Sequence, residues 1–331
     1  MKPRVTVTGG AGFIGSQLTE SLVAQGYKVT ILDNFSSGSK GNLASLDSNG
    51  IEIVQGDCNQ INDVRRATSQ CDILFHLAGI PDVRFGTRNP AACYRENVYA
   101  TYALLEALKA TRVRTVVYAS TSTVYGDPLT IPTPETYIPL SPISVYGTSK
   151  LLAEKLVASH CQESRRRAVI LRLANIVGPR SHGVISDLLK KIQDSPSQLE
   201  VLGNGYQSKS YLHVDDCTQA ILRVMQIEDE PVDVYNVGSE DQIDVRHIVK
   251  ILLEEVGLDS VDLLFTSETE DGRGWMGDVR SMLLDIAKLK RTGWKPTHNS
   301  EQSIRLAIKE HLTEHPFTLR KPMKDLVAIA Q

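Results

Sequence analysis

A doubly wound α/β fold on a parallel sheet, followed by a smaller α/β domain toward the C-terminus, is the fold class this sequence predicts. Three observations carry it. Short β-rich runs alternate with amphipathic stretches through the first half of the chain. A glycine-rich turn joins the first strand to the first helix. From about Asn175 the alternation changes rhythm.

The strand-like runs are Arg4–Thr8, Lys28–Leu32, Ile51–Gln55, Asp72–His76, Thr115–Ala119 and Ala168–Leu173. Their apolar content suits strands covered on both faces. Between them, Phe13–Gln25, Asn62–Ser69, Ala91–Ala110 and Gly147–Ser159 read as helices, with right-handed crossovers expected. Beyond Gly178-Pro179, Gly183–Asp194 reads as a helix, Leu199–Leu202 as a strand and Gly203-Asn204-Gly205 as a turn. Val214–Met225 reads as a helix and Val232–Val237 as a strand returning to the sheet. The expected division is a first domain over 1–174 with a return segment near 213–237. A second domain takes 175–212 and 238–315, and 316–331 forms a tail.

The length of 331 residues fits about two domains. Lys and Arg total 36 against 39 Asp and Glu, a net charge of −3, which disfavours nucleic acid and anionic membrane as partners. No apolar run approaches the roughly 18 residues that span a bilayer. Met1-Lys2-Pro3-Arg4 leads straight into a strand with no signal region, so a cytoplasmic protein is expected. Five scattered cysteines (Cys58, Cys71, Cys93, Cys161, Cys217) form no C-x-x-C pair. They read as reduced, packed thiols, with no metal site expected.

The first strand runs into Thr8-Gly9-Gly10-Ala11-Gly12-Phe13-Ile14-Gly15-Ser16. Gly10, Gly12 and Gly15 fit G-x-G-x-x-G, and Gly9 extends the pattern. Such a turn lets backbone approach a pyrophosphate at a helix N-terminus, where free N–H groups favour anions. Strand before, helix after, and Asp33 closing the second strand make this a Rossmann dinucleotide fingerprint. A carboxylate at 33 bonds a ribose 2′-hydroxyl and repels a 2′-phosphate, so NAD is expected over NADP. Asp57, ending the third strand, fits either an adenine contact or a plain turn. His76 is expected to be structural.

Tyr146 and Lys150 stand four apart at a helix start, hence on one face. Tyrosine is a poor base at its usual pKa of about 10. A nearby ammonium and a positive nicotinamide ring would lower that value. Val116–Gly126 reads as a buried strand spilling into hydroxyl residues at the end where open α/β sheets bind ligands.

The ordered set TGGAGFIGS, HLAG, ENVYAT, YASTSTVYG, YGTSK, LRLANIVGPR and YLHVDD resembles the extended short-chain dehydrogenase/reductases. Within them it is most similar to the NAD-dependent sugar-nucleotide epimerase/dehydratase family, nearest to the UDP-glucose (UDP-galactose) 4-epimerase group. The resemblance implies Tyr146 as base, Lys150 as the lysine holding the nicotinamide ribose, and Thr121 as the hydroxyl that bonds the reacting oxygen. It implies a cofactor set of Gly9, Gly12, Phe13, Ile14, Gly15, Asp33, Asn34, Asp57, Cys58, Leu77, Ala78 and Asn97 with Tyr146 and Lys150. For a UDP-sugar it implies Thr121, Ser122, Thr123, Tyr146, Asn175, Val201 on a uracil-reading strand, Lys209, Arg273 and Asp278. The Arg273–Asp278 spacing is longer than the family's usual one, and Lys209 stands where relatives often carry Arg, which loses a bidentate fork.

Family dehydratases follow the threonine with Asp-Glu. Here Ser122-Thr123 offers no carboxylate for losing water, so the resemblance implies a 4-epimerase of UDP-galactose and UDP-glucose instead. UDP-glucuronate or a UDP-N-acetylhexosamine are the alternative substrates, and a nucleotide-sugar dehydrogenase or ketoreductase, or a dinucleotide-sensing scaffold, the alternative functions. Uronate-processing relatives need a cation for the sugar carboxylate, for which Arg180 and His182 are candidates, while Met282 is a candidate neighbour of the sugar C2. Helices around Ala91–Ala110 and Gly147–Ser159 carry apolar faces (Val98, Tyr102, Leu105; Leu151, Leu152, Leu156). The family resemblance implies that they pair in a homodimer.

Overall fold

The computed structural model describes residues 2–46, 50–227 and 230–317. Seven strands form one sheet: β1 (Arg4–Thr8), β2 (Lys28–Asp33), β3 (Ile51–Gln55), β4 (Ile73–His76), β5 (Thr115–Thr121), β6 (Arg167–Leu173) and β7 (Val232–Val237). Their order is β7-β6-β5-β4-β1-β2-β3, and every pairing is parallel. The direction of winding reverses between β1 and β4, and the crevice beyond the carboxyl ends of those strands is where open sheets bind ligands.

Alternation along each strand divides the core into two layers. Val5, Val7, Ile31, Phe75, Val117 and Leu171 pack with helices Phe13–Ala24 and Val214–Met225. Leu32, Leu74, Val116 and Ile170 pack on the opposite face with helices Ile61–Thr68, Ala100–Leu108 and Val145–Glu163. Each fully buried aliphatic side chain contributes about 1.5–3 kcal/mol.

A third core gathers Ile185, Leu188, Leu199, Val201, Ile248, Leu252, Ile304 and Ile308. It is built from helices Val184–Asp194, Val245–Val256 and Ser300–Glu314 around strand Gln198–Leu202, which pairs with Asp262–Thr266. Two of those helices escape the sequence reading, although both carry start signals. Asp244 caps one by accepting from His247 N–H, and Asn299 with Gln302 forms a capping box on the other.

One expected helix differs. Ala91–Ala110 is broken into α-helix Pro90–Tyr94, a π turn over Arg95–Tyr99 and α-helix Ala100–Leu108. The wide turn carries Asn97 inward, where its Oδ1 accepts from Ile80 N–H at 2.8 Å and its Nδ2 donates to Ser149 Oγ at 2.9 Å. All five cysteines are buried free thiols. Among the described residues no helix is long and apolar enough to cross a membrane. Of the tail expected over 316–331, everything beyond Phe317 lies outside the described residues.

Candidate active site

The glycine turn is shaped by its own backbone. Gly9 has φ +69°, donates to Leu32 O at 2.9 Å and accepts from Gly12 N–H at 3.0 Å. A Cβ on Gly9 would stand 2.9 Å from the Ala78 backbone, so the turn presses against the end of β4. Leu77 N–H donates to Thr8 O at 3.2 Å and Ala78 N–H to Thr8 Oγ1 at 3.3 Å, fixing that contact. The following helix opens at Phe13 with no side-chain cap on its first N–H groups. Those groups, with Phe13 and Ile14 leading, suit a pyrophosphate.

Asp33 is buried at the end of β2, its Oδ2 accepting from Ala11 N–H at 2.9 Å and its Oδ1 from Phe35 N–H at 2.8 Å. Beside it, Asn34 Nδ2 donates to Asp57 Oδ2 at 3.1 Å. Burial works against the Asp57 carboxylate, but hydrogen bonds from Asn59 and Asn34 outweigh it and hold the group below its usual range. Cys58 is buried, its thiol pushed up to about 12 chiefly by burial, so it packs there uncharged. His76 bonds Thr8 Oγ1 at 2.9 Å and Thr101 Oγ1 at 3.0 Å through its two ring nitrogens. Burial, then the Lys150 charge, pulls it down to about 3, which makes it a neutral structural group. This end of the sheet fits NAD.

Ser144 caps the helix carrying Tyr146 and Lys150, its Oγ accepting from Gly147 N–H at 3.0 Å. The Thr121 hydroxyl at the end of β5 acts on the Tyr146 phenol and favours its charged form. Thr121 Oγ1 also accepts from Thr123 N–H and shares a hydrogen bond with Thr123 Oγ1, both at 3.2 Å. The Lys150 ammonium lies 4.4 Å from the centre of the Tyr118 ring.

The sequence expectation of a lowered tyrosine is not what the chain's own groups produce. Burial pushes Tyr146 up to about 12, only partly opposed by the influence of Thr121. Burial likewise pulls Lys150 down to about 8 against the attraction of Glu154. A site this closed disfavours both charged forms, so the phenolate needs a positive charge from a bound group.

On the facing side, Asn175 Nδ2 donates to Ser210 O at 3.2 Å. Lys209 pairs with buried Asp278 at 2.6 Å. Arg273 reaches Asp127 at 2.8 Å, Asp271 at 2.7 Å and the Asp278 carbonyl at 2.8 Å. The unusual spacing therefore still brings Arg273 and Asp278 together. Their loop leans on the cap of the Tyr146 helix: a Cβ on Gly277 would stand 3.0 Å from Ile143 O. Val201 turns its side chain into the third core, while among the described residues its strand has no sheet partner on the edge away from Asp262–Thr266.

Arg180, His182 and Met282 differ in their surroundings. Arg180 is drawn away by Glu314 at 3.4 Å and Glu20 at 3.9 Å, and it donates to Asn42 O at 3.3 Å. His182 is exposed. Met282 is buried, its strand paired beside Lys209.

Sequence reasoning passed over several residues here. Arg84, on helix Val83–Arg88, lies 5.6 Å from the Trp275 ring, and Lys209 lies 5.6 Å from the same ring. The Trp275 indole N–H is buried without a partner among the described residues. Glu154 and Arg172 form a buried ion pair at 3.0 Å behind Lys150. Its signal was legible: an arginine inside the apolar run of β6 and a glutamate one turn beyond Lys150.

Comparison with known proteins agrees with this geometry. The model of the "NAD dependent epimerase/dehydratase family" matches residues 5–238. The chain is 38% identical to a crystal structure of a UDP-galactose 4-epimerase, with a TM-score of 0.84 over 94% of this chain and 99% of that one. It is 29% identical to a UDP-glucose 4-epimerase of Dictyostelium discoideum, over 92% of this chain and 95% of the relative. It is also 31% identical to UDP-glucuronic acid decarboxylase 2 of Arabidopsis thaliana, over 93% of this chain and 68% of the relative.

Proposed function

The chain belongs to the NAD-dependent epimerase/dehydratase family, and from that premise we propose that it is a 4-epimerase interconverting UDP-galactose and UDP-glucose. The observation that carries this reading is that buried Tyr146 and Lys150 share one helix face, with Thr121 at the end of β5 acting on the tyrosine and followed in the chain by Ser122 and Thr123 rather than carboxylates. Such a site can move one proton at one oxygen but lacks the acid and base that dehydration needs.

NAD supplies a hydride acceptor and donor when bound, held by the Gly9–Gly15 turn, Asp33, Asn34, Asp57, Cys58, Leu77, Ala78, Asn97 and Lys150. Tyr146 then takes the proton of the sugar C4 hydroxyl, and Thr121 hydrogen-bonds that oxygen as it becomes a carbonyl. Ser122 and Thr123 hold neighbouring hydroxyls. Lys209 and Arg273, with Asn175, hold the diphosphate, Asp278 fixes Lys209, and the open edge of the Val201 strand meets uracil. The 4-keto sugar would turn over about its diphosphate linkage, so that the hydride held by the cofactor would return to the opposite face of C4 while Tyr146 gives the proton back to the C4 oxygen. The commitment of Arg180 to Glu314 and Glu20 speaks against a uronate, whose carboxylate would want a free cation. The seven-strand sheet is the cofactor half and the third core the substrate half.

The exposed face of Tyr99 (53%), Tyr102 (48%) and Leu152 (45%), with Val98 and Leu156 between, supports a homodimer through these helices. Leu105 is instead buried inward.

Incubation with UDP-galactose and no added cofactor, resolved by chromatography, tests the reading. An equilibrium mixture with UDP-glucose is expected. Turnover of UDP-glucuronate instead, with or without release of carbon dioxide, would overturn it.

A further inference from the structure

We propose that Glu154 is a positioning residue for Lys150 and Thr121: a buried carboxylate, clamped by Arg172 and Ser120, that stands as the fixed countercharge behind the tyrosine–lysine pair. The inference rests on the catalytic reading of Tyr146 and Lys150 above.

Tyr146, Lys150 and Glu154 follow at four-residue intervals and share one face of helix Val145–Glu163. Arg172 grips both carboxylate oxygens, Nη2 to Oε2 at 3.0 Å and Nε to Oε1 at 3.2 Å. Ser120, next to Thr121 on β5, donates its hydroxyl to Oε1. Arg172 continues to Tyr125 Oη at 3.0 Å, and that hydroxyl donates to Asn236 Oδ1 on β7 at 2.7 Å. One carboxylate thus ties the catalytic helix to the ends of β5, β6 and β7.

Stability alone is a weak reason for the pair. Its helix neighbours Ala153, Val157 and Cys161 are buried apolar groups, and replacing a buried ion pair with apolar residues is often neutral or stabilising. Lys150 gives a better reason. Its buried side chain is faced by the Tyr118 ring from β5, Glu154 from its own helix, Cys93 from helix Pro90–Tyr94 and neutral His76 from β4, with Tyr146 one turn before it on the same helix. Of these groups Glu154 is the carboxylate. With it neutralised, burial would act on Lys150 unopposed and the Arg172 charge would remain nearby.

The test uses NAD-loaded protein labelled with ¹⁵N-lysine, the Lys150 signal being assigned by its loss in Lys150→Met. Glu154→Gln is expected to lower the Lys150 titration midpoint by about 1 pH unit or more. Its kcat is expected to fall roughly tenfold or more with KM and bound NAD unchanged. Glu154→Asp, which restores the charge, is expected to recover the midpoint. An unmoved midpoint in the glutamine variant overturns the proposal whatever sugar the protein takes. A moved midpoint in a protein inert toward UDP-galactose upholds it and removes only the substrate reading. If Glu154→Gln does not fold, Arg172→Gln, which leaves the carboxylate unopposed, must raise the midpoint, and failure to do so overturns the proposal.

Discussion

A methyl group on Gly15 would stand 2.0 Å from the carbonyl oxygen of Gly9, whereas one on Gly12 would meet only that same oxygen, at 3.2 Å. The two positions separate packing from binding. Gly15→Ala is expected to displace the first helical turn and to lower both the melting temperature and NAD content. Gly12→Ala is expected to melt within about 3 °C of the wild type yet bind NAD roughly tenfold more weakly or worse. Calorimetric titration of NAD-stripped protein checks this. Wild-type affinity in Gly12→Ala would mean that the turn does not hold the pyrophosphate.

Tyr146→Phe removes the oxygen proposed to take the substrate proton and leaves the cofactor turn untouched. A loss of about 10²–10⁴ in kcat is expected, with bound NAD unchanged by absorbance. Thr121→Val, which removes the hydroxyl proposed to bond the reacting oxygen and keeps the base, should lose less. Retained turnover in Tyr146→Phe would assign the base elsewhere.

His213 is fully buried at the start of helix Val214–Met225, 3.0 Å from Glu310 and 3.5 Å from Asp215. Burial opposes its charge, but hydrogen bonds to Asp215 and Glu310 outweigh it and raise the group to about 9. Because the folded value exceeds the unfolded one, the pairing stabilises fully below pH of about 6.5 and is lost as pH rises through the folded value. Glu310→Gln should therefore lower the melting temperature at pH 6 by roughly 2–4 °C and by far less at pH 10. Equal losses at both would contradict the assignment.

Tyr102→Glu with Leu152→Glu places two charges on side chains already about half exposed, so folding should survive. Light scattering is expected to show half the wild-type mass. A wild-type protein already monomeric at micromolar concentration would remove the dimer.

Much of this fold was legible in the sequence, for a physical reason. The strands β1 to β6 are short apolar runs bounded by polar turns, because a parallel sheet covered on both faces tolerates little else. The glycine turn was legible because backbone crowding at Gly9 and Gly15 restricts the residue type. Tyr146 and Lys150 were legible through helical spacing and their likeness to a family.

The remainder depended on tertiary placement. Nothing local tells that Arg180 turns to Glu314 and Glu20, or that Met282 enters the core. The π turn at Asn97 arises from bonds to Ile80 and Ser149, residues 17 and 52 positions away. The depth of burial around Tyr146, which raises its pKa in the chain alone, was not legible, because spacing conveys a neighbouring charge but not how closed the site is.

The central claim is that C4 of the sugar is oxidised and reduced at the same carbon while Tyr146 carries the proton. Conversion of UDP-[4-²H]galactose in ordinary water, followed by NMR of the product, tests it most directly. UDP-glucose retaining deuterium at C4, with no NADH released, is predicted. Deuterium lost to solvent, or NADH accumulating in step with product, would contradict the account.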